Sequence, residues 1–210
     1  MVHLHVHSIF SFLEGTATIE ALIQKCLEKG MRAIALTDTD GLYGVLPFYR
    51  AARSAGIHPI IGVELDNVVL LAKNQKGYTT LCRIVTAYQL EKNSTHPLSD
   101  DLPNWLTEIN SHVFVLTDNL HLIRKMLARG ISPLVALTCY GDIASRRRAQ
   151  FLNDFSTHHG LTAVAVNPIY FLEPSHFQIY QVLNAIRKNT TLDLSASSAD
   201  RQKRFFTKEE

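Results

Sequence analysis

The residues best suited to chemistry stand at the start of the chain, where three histidines alternate with apolar residues in the stretch Met1–Ser8. Successive side chains of a β-strand point to opposite faces, so this spacing predicts that His3, His5 and His7 share one face. Neutral imidazole nitrogens set side by side are good ligands for zinc, iron or manganese. A solvent-facing edge strand that is rich in histidine is the alternative that this stretch alone leaves open.

Short apolar runs alternate with amphipathic helical patterns along the chain, and these elements must position the histidines. Seven runs are typical of strands: Val2–Val6, Ala33–Leu36, Ile57–Val63, Val68–Ala72, Val113–Leu116, Leu134–Leu137 and Thr162–Val166. Helices are predicted at Thr18–Lys29, Leu42–Ala55, Tyr78–Gln89, Leu120–Arg129, Ser145–His158 and Ser175–Lys188, with a shorter one at Trp105–Asn110. This alternation predicts an α/β protein with a mainly parallel sheet.

Polar residues follow most of the predicted strands, and they favour a closed barrel over an open doubly wound sheet. Thr37–Gly41, Glu64, Thr117–Asn119 and Asn167 all stand just past apolar runs. In α/β barrels the carboxyl ends of the strands meet at one mouth, where active sites are built. Histidines and carboxylates converging there have the composition of a metal site. No glycine-rich phosphate loop follows any strand, which removes the main reason to expect a nucleotide-binding open sheet.

Composition excludes several other classes of protein. The 210 residues are 46% hydrophobic and 19% charged, as in folded globular chains. The formal net charge of +2 gives no reason to expect a surface that coats nucleic acid. Three dispersed cysteines without a CxxC pair indicate a reducing compartment. With neither a signal peptide nor a long apolar run, we predict a cytoplasmic protein without membrane contact.

Several motifs together resemble one known family. They are LHVHS at residues 4–8, ALTD at 35–38, GLYG at 41–44 and PIIGVE at 59–64. These motifs are similar to the PHP (polymerase and histidinol phosphatase) domain, in the form found at the N-terminus of bacterial DNA polymerase III alpha subunits. The TDTDGLYG form at residues 37–44 is similar to the error-prone branch of these subunits. The resemblance implies a distorted seven-stranded β/α barrel over residues 1–192, with 193–210 a flexible tail or the start of a linker to a polymerase region.

The resemblance also implies a metal site that has lost ligands. Four residues match ligands of the family: His5, His7, Asp38 and Glu64. Thr39 stands where the family usually has a histidine, and Pro168 and Tyr170 replace an aspartate and a histidine. A multinuclear site needs bridging carboxylates and an open position for water. We therefore expect at most one divalent metal (zinc, manganese or iron), or none, and a catalytic role for Asp38 only if the site is active.

Four further positions bear on this expectation. Asn67 and Asn119 fall near places where the family has a histidine and a cysteine ligand. His121 and Cys139 stand close to the ends of predicted strands and are candidates to replace a lost ligand.

Three functions follow from this reading. The first is an inactive structural or docking module of a DNA polymerase III alpha-like protein, which serves DNA replication or error-prone repair synthesis. Its partners would be the remainder of the polymerase, a proofreading or other replication protein, and DNA through the parent protein. The second is a metal-dependent phosphoesterase or 3′–5′ exonuclease with a reduced site. The third is a standalone barrel acting on a small phosphate ester, which predicts that no polymerase region continues after residue 210.

Overall fold

Six strands form one curled sheet in the computed structural model, which describes residues 2–91 and 111–192. The strands, in chain order and in sheet order, are β1 (Ala33–Leu36), β2 (His58–Leu65), β3 (Val68–Ala72), β4 (Val113–Thr117), β5 (Leu134–Leu137) and β6 (Ala163–Ala165). The pairs β1–β2, β4–β5 and β5–β6 are parallel, whereas β2–β3 and β3–β4 are antiparallel. The α/β class is confirmed, but the predicted count of seven strands is not, because six are found in the described residues.

The reversal between β2 and β3 has a local cause. Only Asp66 and Asn67 join the two strands, and both have positive φ angles, of 47° and 63°. Two residues in the left-handed region are what a tight hairpin requires, and Asp and Asn tolerate that region better than most residues. Leu65 consequently pairs with Val68, and the sheet is mixed, with three parallel and two antiparallel strand pairs.

The stretch predicted as the first strand, Val2–Val6, is an extended segment with a bulge. The amide of Ala35 donates to the carbonyl of His3 at 2.9 Å, and the amide of Thr37 donates to the carbonyl of Val6 at 2.8 Å. The three-residue interval from His3 to Val6 therefore lies opposite the two-residue interval from Ala35 to Thr37. This mismatch is a β-bulge, and it interrupts the regular ladder of hydrogen bonds. On its other side the segment pairs with Ile169 through an isolated bridge at Val6. The segment thus lies between β1 and the chain that follows β6.

Six α-helices surround the sheet within the described residues: α1 (Ile19–Glu28), α2 (Val45–Ser54), α3 (Gln75–Glu91), α4 (Leu120–Leu127), α5 (Ile143–His158) and α6 (Phe177–Lys188). A 3₁₀ turn, Pro174–His176, precedes α6. Several of these helices begin with a side-chain N-cap. For α1 the cap is Thr18, whose hydroxyl oxygen accepts from the amide of Ala21 at 3.2 Å. The predicted helix at 105–110 and the predicted tail at 193–210 lie outside the described residues.

Clusters of apolar side chains join the helices to the sheet, and two of them contain most of the buried helical residues. One cluster joins α1 and α2 to β1 and includes Leu22, Cys26, Ile34 and Phe48, all fully buried. Burial raises the pKa of the Cys26 thiol to about 12, so this cysteine is an inert core residue. A second cluster joins α3 and α4 to β2, β3 and β4. None of the described helices is both long enough and apolar enough to cross a membrane.

Candidate metal site

Two histidines and one glutamate converge at the carboxyl end of β2. His5 Nε2 lies 3.3 Å from Glu64 Oε1, and His7 Nε2 lies 3.3 Å from Glu64 Oε2. All three side chains are buried, and their candidate ligand atoms lie within 4.8 Å of one another. We call these three residues the triad. It contains three of the four ligands that the sequence predicted, in one place.

The chemistry of the triad fits a divalent transition metal. His5 Nε2 is buried and makes no hydrogen bond within the described part of the chain. A buried imidazole nitrogen normally has a partner, and one that lies beside a carboxylate without a hydrogen bond suits metal coordination. Two imidazoles and one carboxylate are a ligand set that zinc uses in catalytic sites, where a fourth position stays open. The residues present can hold one such ion, and its identity stays a prediction.

Backbone pairing sets the positions of the triad. Glu64 lies near the end of β2, where its amide donates to the Asp38 carbonyl at 3.1 Å and its carbonyl accepts from the Asp40 amide at 2.9 Å. His5 and His7 lie on either side of Val6, and the His5 carbonyl and the His7 amide both bond to Ile169. Alternation along this short extended stretch places both imidazoles on the side of Glu64. His3, beyond the bulge, is buried but is not part of the triad.

Asp38 follows β1 and is held by two serines. Its Oδ1 accepts from the Ser8 amide at 2.7 Å and from the Ser11 hydroxyl at 2.7 Å, and its Oδ2 accepts from the Ser8 hydroxyl at 2.9 Å. Burial raises the pKa of the Asp38 carboxyl above its ordinary value, while these hydrogen bonds oppose the rise. Asp38 does not belong to the triad. Its predicted roles as a ligand and as a catalytic group stay predictions.

Thr39 belongs to a second polar group that adjoins His7. The Thr39 hydroxyl donates to Glu14 Oε2 at 2.6 Å, and its oxygen lies 3.3 Å from His7 Nδ1. Arg187, from α6, forms an ion pair with the other oxygen of Glu14. Thr39 stands where the family usually has a histidine, and its hydroxyl is hydrogen-bonded to the Glu14 carboxylate.

Tyr170 occupies the space beside the triad. Its ring stacks on the His7 ring with centroids 4.1 Å apart and planes 5° apart. Burial and the nearby Glu64 and Glu14 carboxylates raise the pKa of the Tyr170 phenol well above its ordinary value of 10. The phenol is thus neutral at physiological pH, and it supplies neither an imidazole nor a carboxylate.

A cavity of about 190 Å³ opens next to the triad. His5, Glu64, Pro168 and Tyr170 line it together with residues from the ends of β4 and β5, namely Thr117, Asp118 and Thr138. Polar residues at the ends of β2, β4 and β5 therefore line one cavity, whereas Asp38, Asn119 and Asn167 are not among its lining residues. A larger cleft of about 470 Å³ also borders Glu64 and is lined by Glu14, Thr39 and Arg187, among others.

The remaining candidate ligands have other places in the fold. Asn67 forms the hairpin turn between β2 and β3. Asn119 caps α4, with its side-chain oxygen accepting from the amides of the next helical residues. His121 and Cys139 are exposed, and neither belongs to the triad. Sequence reasoning assigned Ser11, Glu14 and Arg187 no role at the site, because their contacts depend on how the fold brings distant segments together.

Comparison with known proteins identifies the family. The PHP domain model matches residues 3–121, more than half of the chain, and the chain belongs to the PHP domain family. It is 32% identical to the DNA polymerase III subunit alpha of Buchnera aphidicola subsp. Schizaphis graminum, over 100% of this chain and 20% of that protein. The corresponding subunit of Escherichia coli K12 is 31% identical over 91% of this chain and 19% of its own length.

An error-prone DNA polymerase of Cutibacterium acnes is 28% identical over 90% of this chain and 20% of that protein. The chain thus spans about a fifth of the length of these relatives. The resemblance inferred from the motifs is confirmed.

Solved structures share the fold. An amidohydrolase from Chromobacterium violaceum superimposes with a TM-score of 0.59 at 13% identity, over 80% of this chain and 87% of that one. A two-domain protein from Bacteroides vulgatus, described as containing a predicted PHP-like metal-dependent phosphoesterase, gives a TM-score of 0.53 at 13% identity, over 80% of this chain and 51% of that one. At this level of identity the likeness concerns the fold alone.

Proposed function

We propose that this chain is the N-terminal PHP module of a DNA polymerase III alpha-like protein and has a structural rather than a hydrolytic role. The observation that carries the proposal is the stacking of Tyr170 on His7, because an aromatic ring stands where the family's site continues. The similarity to polymerase subunits about five times longer supports a module within a larger chain. The polymerase activity would belong to the rest of that chain.

The chemistry of the site supports the same conclusion. Hydrolysis by a cluster of metals requires carboxylates that bridge ions about 3.5–4 Å apart. Glu64 is the one carboxylate in the triad, and both of its oxygens already face imidazoles. Thr39 and Tyr170 cannot replace the missing ligands. A metal bound by His5, His7 and Glu64 would supply Lewis acidity and local rigidity, and we propose that rigidity is its main contribution here.

A face of α6 is suited to contact with the remainder of the polymerase chain. Ile179, Val182 and Ile186 recur at helical spacing and are each about half exposed. A contiguous apolar face on a domain marks a contact surface for another protein segment. Because the relatives continue far beyond the length matched here, we propose that a later domain of the same polypeptide covers this face.

A metal-dependent phosphoesterase or 3′–5′ exonuclease is the second candidate function. The buried triad beside an open cavity favours it, since three ligands and an open position suffice for one activated water. In that case Asp38, held by Ser8 and Ser11, would be the nearby carboxylate available as a general base.

Metal content and hydrolysis, measured on the same sample, separate the two candidates. The chain is equilibrated with zinc, manganese or iron(II), its metal per chain is measured by mass spectrometry, and cleavage of a phosphodiester and of end-labelled single-stranded DNA is followed. We expect no more than one metal per chain, loss of that metal in His5→Ala, and no cleavage above the His5→Ala background. His58→Ala, which changes an exposed histidine at the start of β2, is the matched control and should keep the metal.

Cleavage that both His5→Ala and Asp38→Ala abolish, with one or more metals bound per unaltered chain, would establish the phosphoesterase instead. Cleavage that survives in His5→Ala would point to a contaminating nuclease and leaves the expected result standing.

A further inference from the structure

Two hydroxyl groups contact the Nδ1 atom of His7. Ser11 Oγ lies 3.0 Å from it and Thr39 Oγ1 lies 3.3 Å from it. A hydroxyl has one hydrogen and two lone pairs, whereas a neutral imidazole carries its proton on one of two nitrogens. The group to which each hydroxyl donates its hydrogen bond therefore decides whether His7 Nδ1 must carry a proton.

The Ser11 hydroxyl sends its hydrogen to Asp38. The distance from Ser11 Oγ to Asp38 Oδ1 is 2.7 Å, and a carboxylate can only accept. Ser11 Oγ also accepts from the backbone amide of Thr39 at 3.1 Å. One lone pair of Ser11 Oγ remains, and it faces His7 Nδ1.

The Thr39 hydroxyl sends its hydrogen to Glu14. The distance from Thr39 Oγ1 to Glu14 Oε2 is 2.6 Å, and the other oxygen of Glu14 forms an ion pair with Arg187. Thr39 Oγ1 therefore also presents a lone pair to His7 Nδ1. Two independent carboxylates, Asp38 and Glu14, thus impose the same condition on one nitrogen.

We infer that Ser11 and Thr39 are positioning residues that keep a proton on Nδ1 of His7, so that Nε2 is the nitrogen that faces Glu64 and would bind a metal. Hydrogen bonds to the non-ligating nitrogen commonly fix the tautomer of a metal-binding histidine. Thr39 is then more than the site of a lost ligand, because it supports a ligand that remains. The inference rests on the proposed function only in taking the triad as a metal site.

The tautomer can be measured without any metal. The 210-residue chain is labelled with ¹⁵N-histidine, and long-range ¹H–¹⁵N correlation spectra are recorded on the metal-free protein near neutral pH. We expect His7 to carry a proton on Nδ1 in the unaltered chain and in the single variants Ser11→Ala and Thr39→Val, since each single variant leaves one acceptor. In the double variant the preference should be lost, and the affinity for zinc should fall about 10- to 100-fold.

Two controls accompany the measurement. Thr39→Ser keeps the hydroxyl and should retain both the tautomer and the zinc affinity of the unaltered chain. Thr86→Val removes a hydroxyl on α3 that bonds to the Cys82 carbonyl, and it should also change neither.

The spectrum of the unaltered chain is decisive even if the double variant fails to fold. An unprotonated Nδ1 of His7 would overturn the inference, as would a folded double variant in which the protonation of Nδ1 is unchanged. Weakened zinc binding by the folded double variant, without a change of tautomer, would also overturn it. Hydrolysis or several bound metals would contradict the proposed function but not this assignment of the proton.

Discussion

Replacing Tyr170 by alanine tests whether its ring is a structural filling of the site or a part of its chemistry. The ring is partly buried, stacks on His7 at 4.1 Å and lies 5.5 Å from the ring of Tyr180. Removal of a fully buried aromatic ring costs 3–5 kcal/mol, and partial exposure puts the expected loss in the free energy of unfolding at about 2–3 kcal/mol. For a chain of this size that corresponds to a Tm lower by about 4–12 °C.

Urea denaturation and calorimetry measure this loss, and metal content is measured in parallel. We expect Tyr170→Ala to bind the same amount of metal as the unaltered chain, because the candidate ligand atoms belong to His5, His7 and Glu64. Tyr170→Phe keeps the stacked ring and should change the free energy of unfolding by no more than about 1.5 kcal/mol. Loss of metal together with the ring, or a stability change below about 1 kcal/mol in the alanine variant, would refute this reasoning.

Three further predictions follow from the site and its supports. Zinc at 100 times its Kd should raise the free energy of unfolding by about 2.7 kcal/mol; calorimetry should show that a chelator reverses this gain and His5→Ala abolishes it. Burial raises the pKa of Asp38, so the stability that its neutral form contributes is present below the ordinary pKa of 3.8 and is lost as pH rises through the folded value. Asp38→Asn should therefore gain stability relative to the unaltered chain across that interval in urea titrations, and a constant difference would contradict it. Gly15→Ala would place a methyl group 1.9 Å from the Ser8 carbonyl oxygen, so circular dichroism melting should show strong destabilisation, whereas Gly160→Ala, with open space around it, should show less.

Local sequence patterns predicted the helices well, because the apolar spacing and the caps that define a helix lie within the helix or next to it. The apolar spacing and the Thr18 cap placed a helix at 18–29, and the structure has Ile19–Glu28. Strand direction is different, because it depends on how a chain returns to the sheet. The two-residue connection Asp66–Asn67 was a usable signal of a hairpin, since a parallel return needs a far longer crossover.

The first predicted strand could not be judged from its own residues. Alternation over Val2–Val6 suits a regular strand, but the bulge arises from the way Ala35 and Thr37 pair with it. Its second partner, Ile169, lies near the other end of the described chain. Pairing over such distances leaves no trace in the local pattern of apolar residues.

The sequence predicted the candidate ligands of the site but not the residues that contact them. His5, His7 and Glu64 stood in motifs whose residue types suggest coordination, and the structure brings them together. Glu14 lies in a loop and Arg187 on α6, and their ion pair exists only because the fold places α6 over that loop. Chemical type identifies a ligand in a sequence, whereas an ordinary hydroxyl or carboxylate gains its role through its neighbours.

The pairing of the N-terminal segment with Ile169 has a consequence for synthesis of the chain. His5 and His7 leave the ribosome long before Ile169, but the bonds that hold His7 and the His5 carbonyl in place involve Ile169, and Tyr170 follows directly. Contacts between distant parts of a chain form slowly, because the intervening loop must close first. The backbone of the two histidines therefore cannot form its hydrogen bonds with Ile169 until almost all of the described chain has emerged. Metal uptake during translation would consequently report the completion of this fold rather than its beginning.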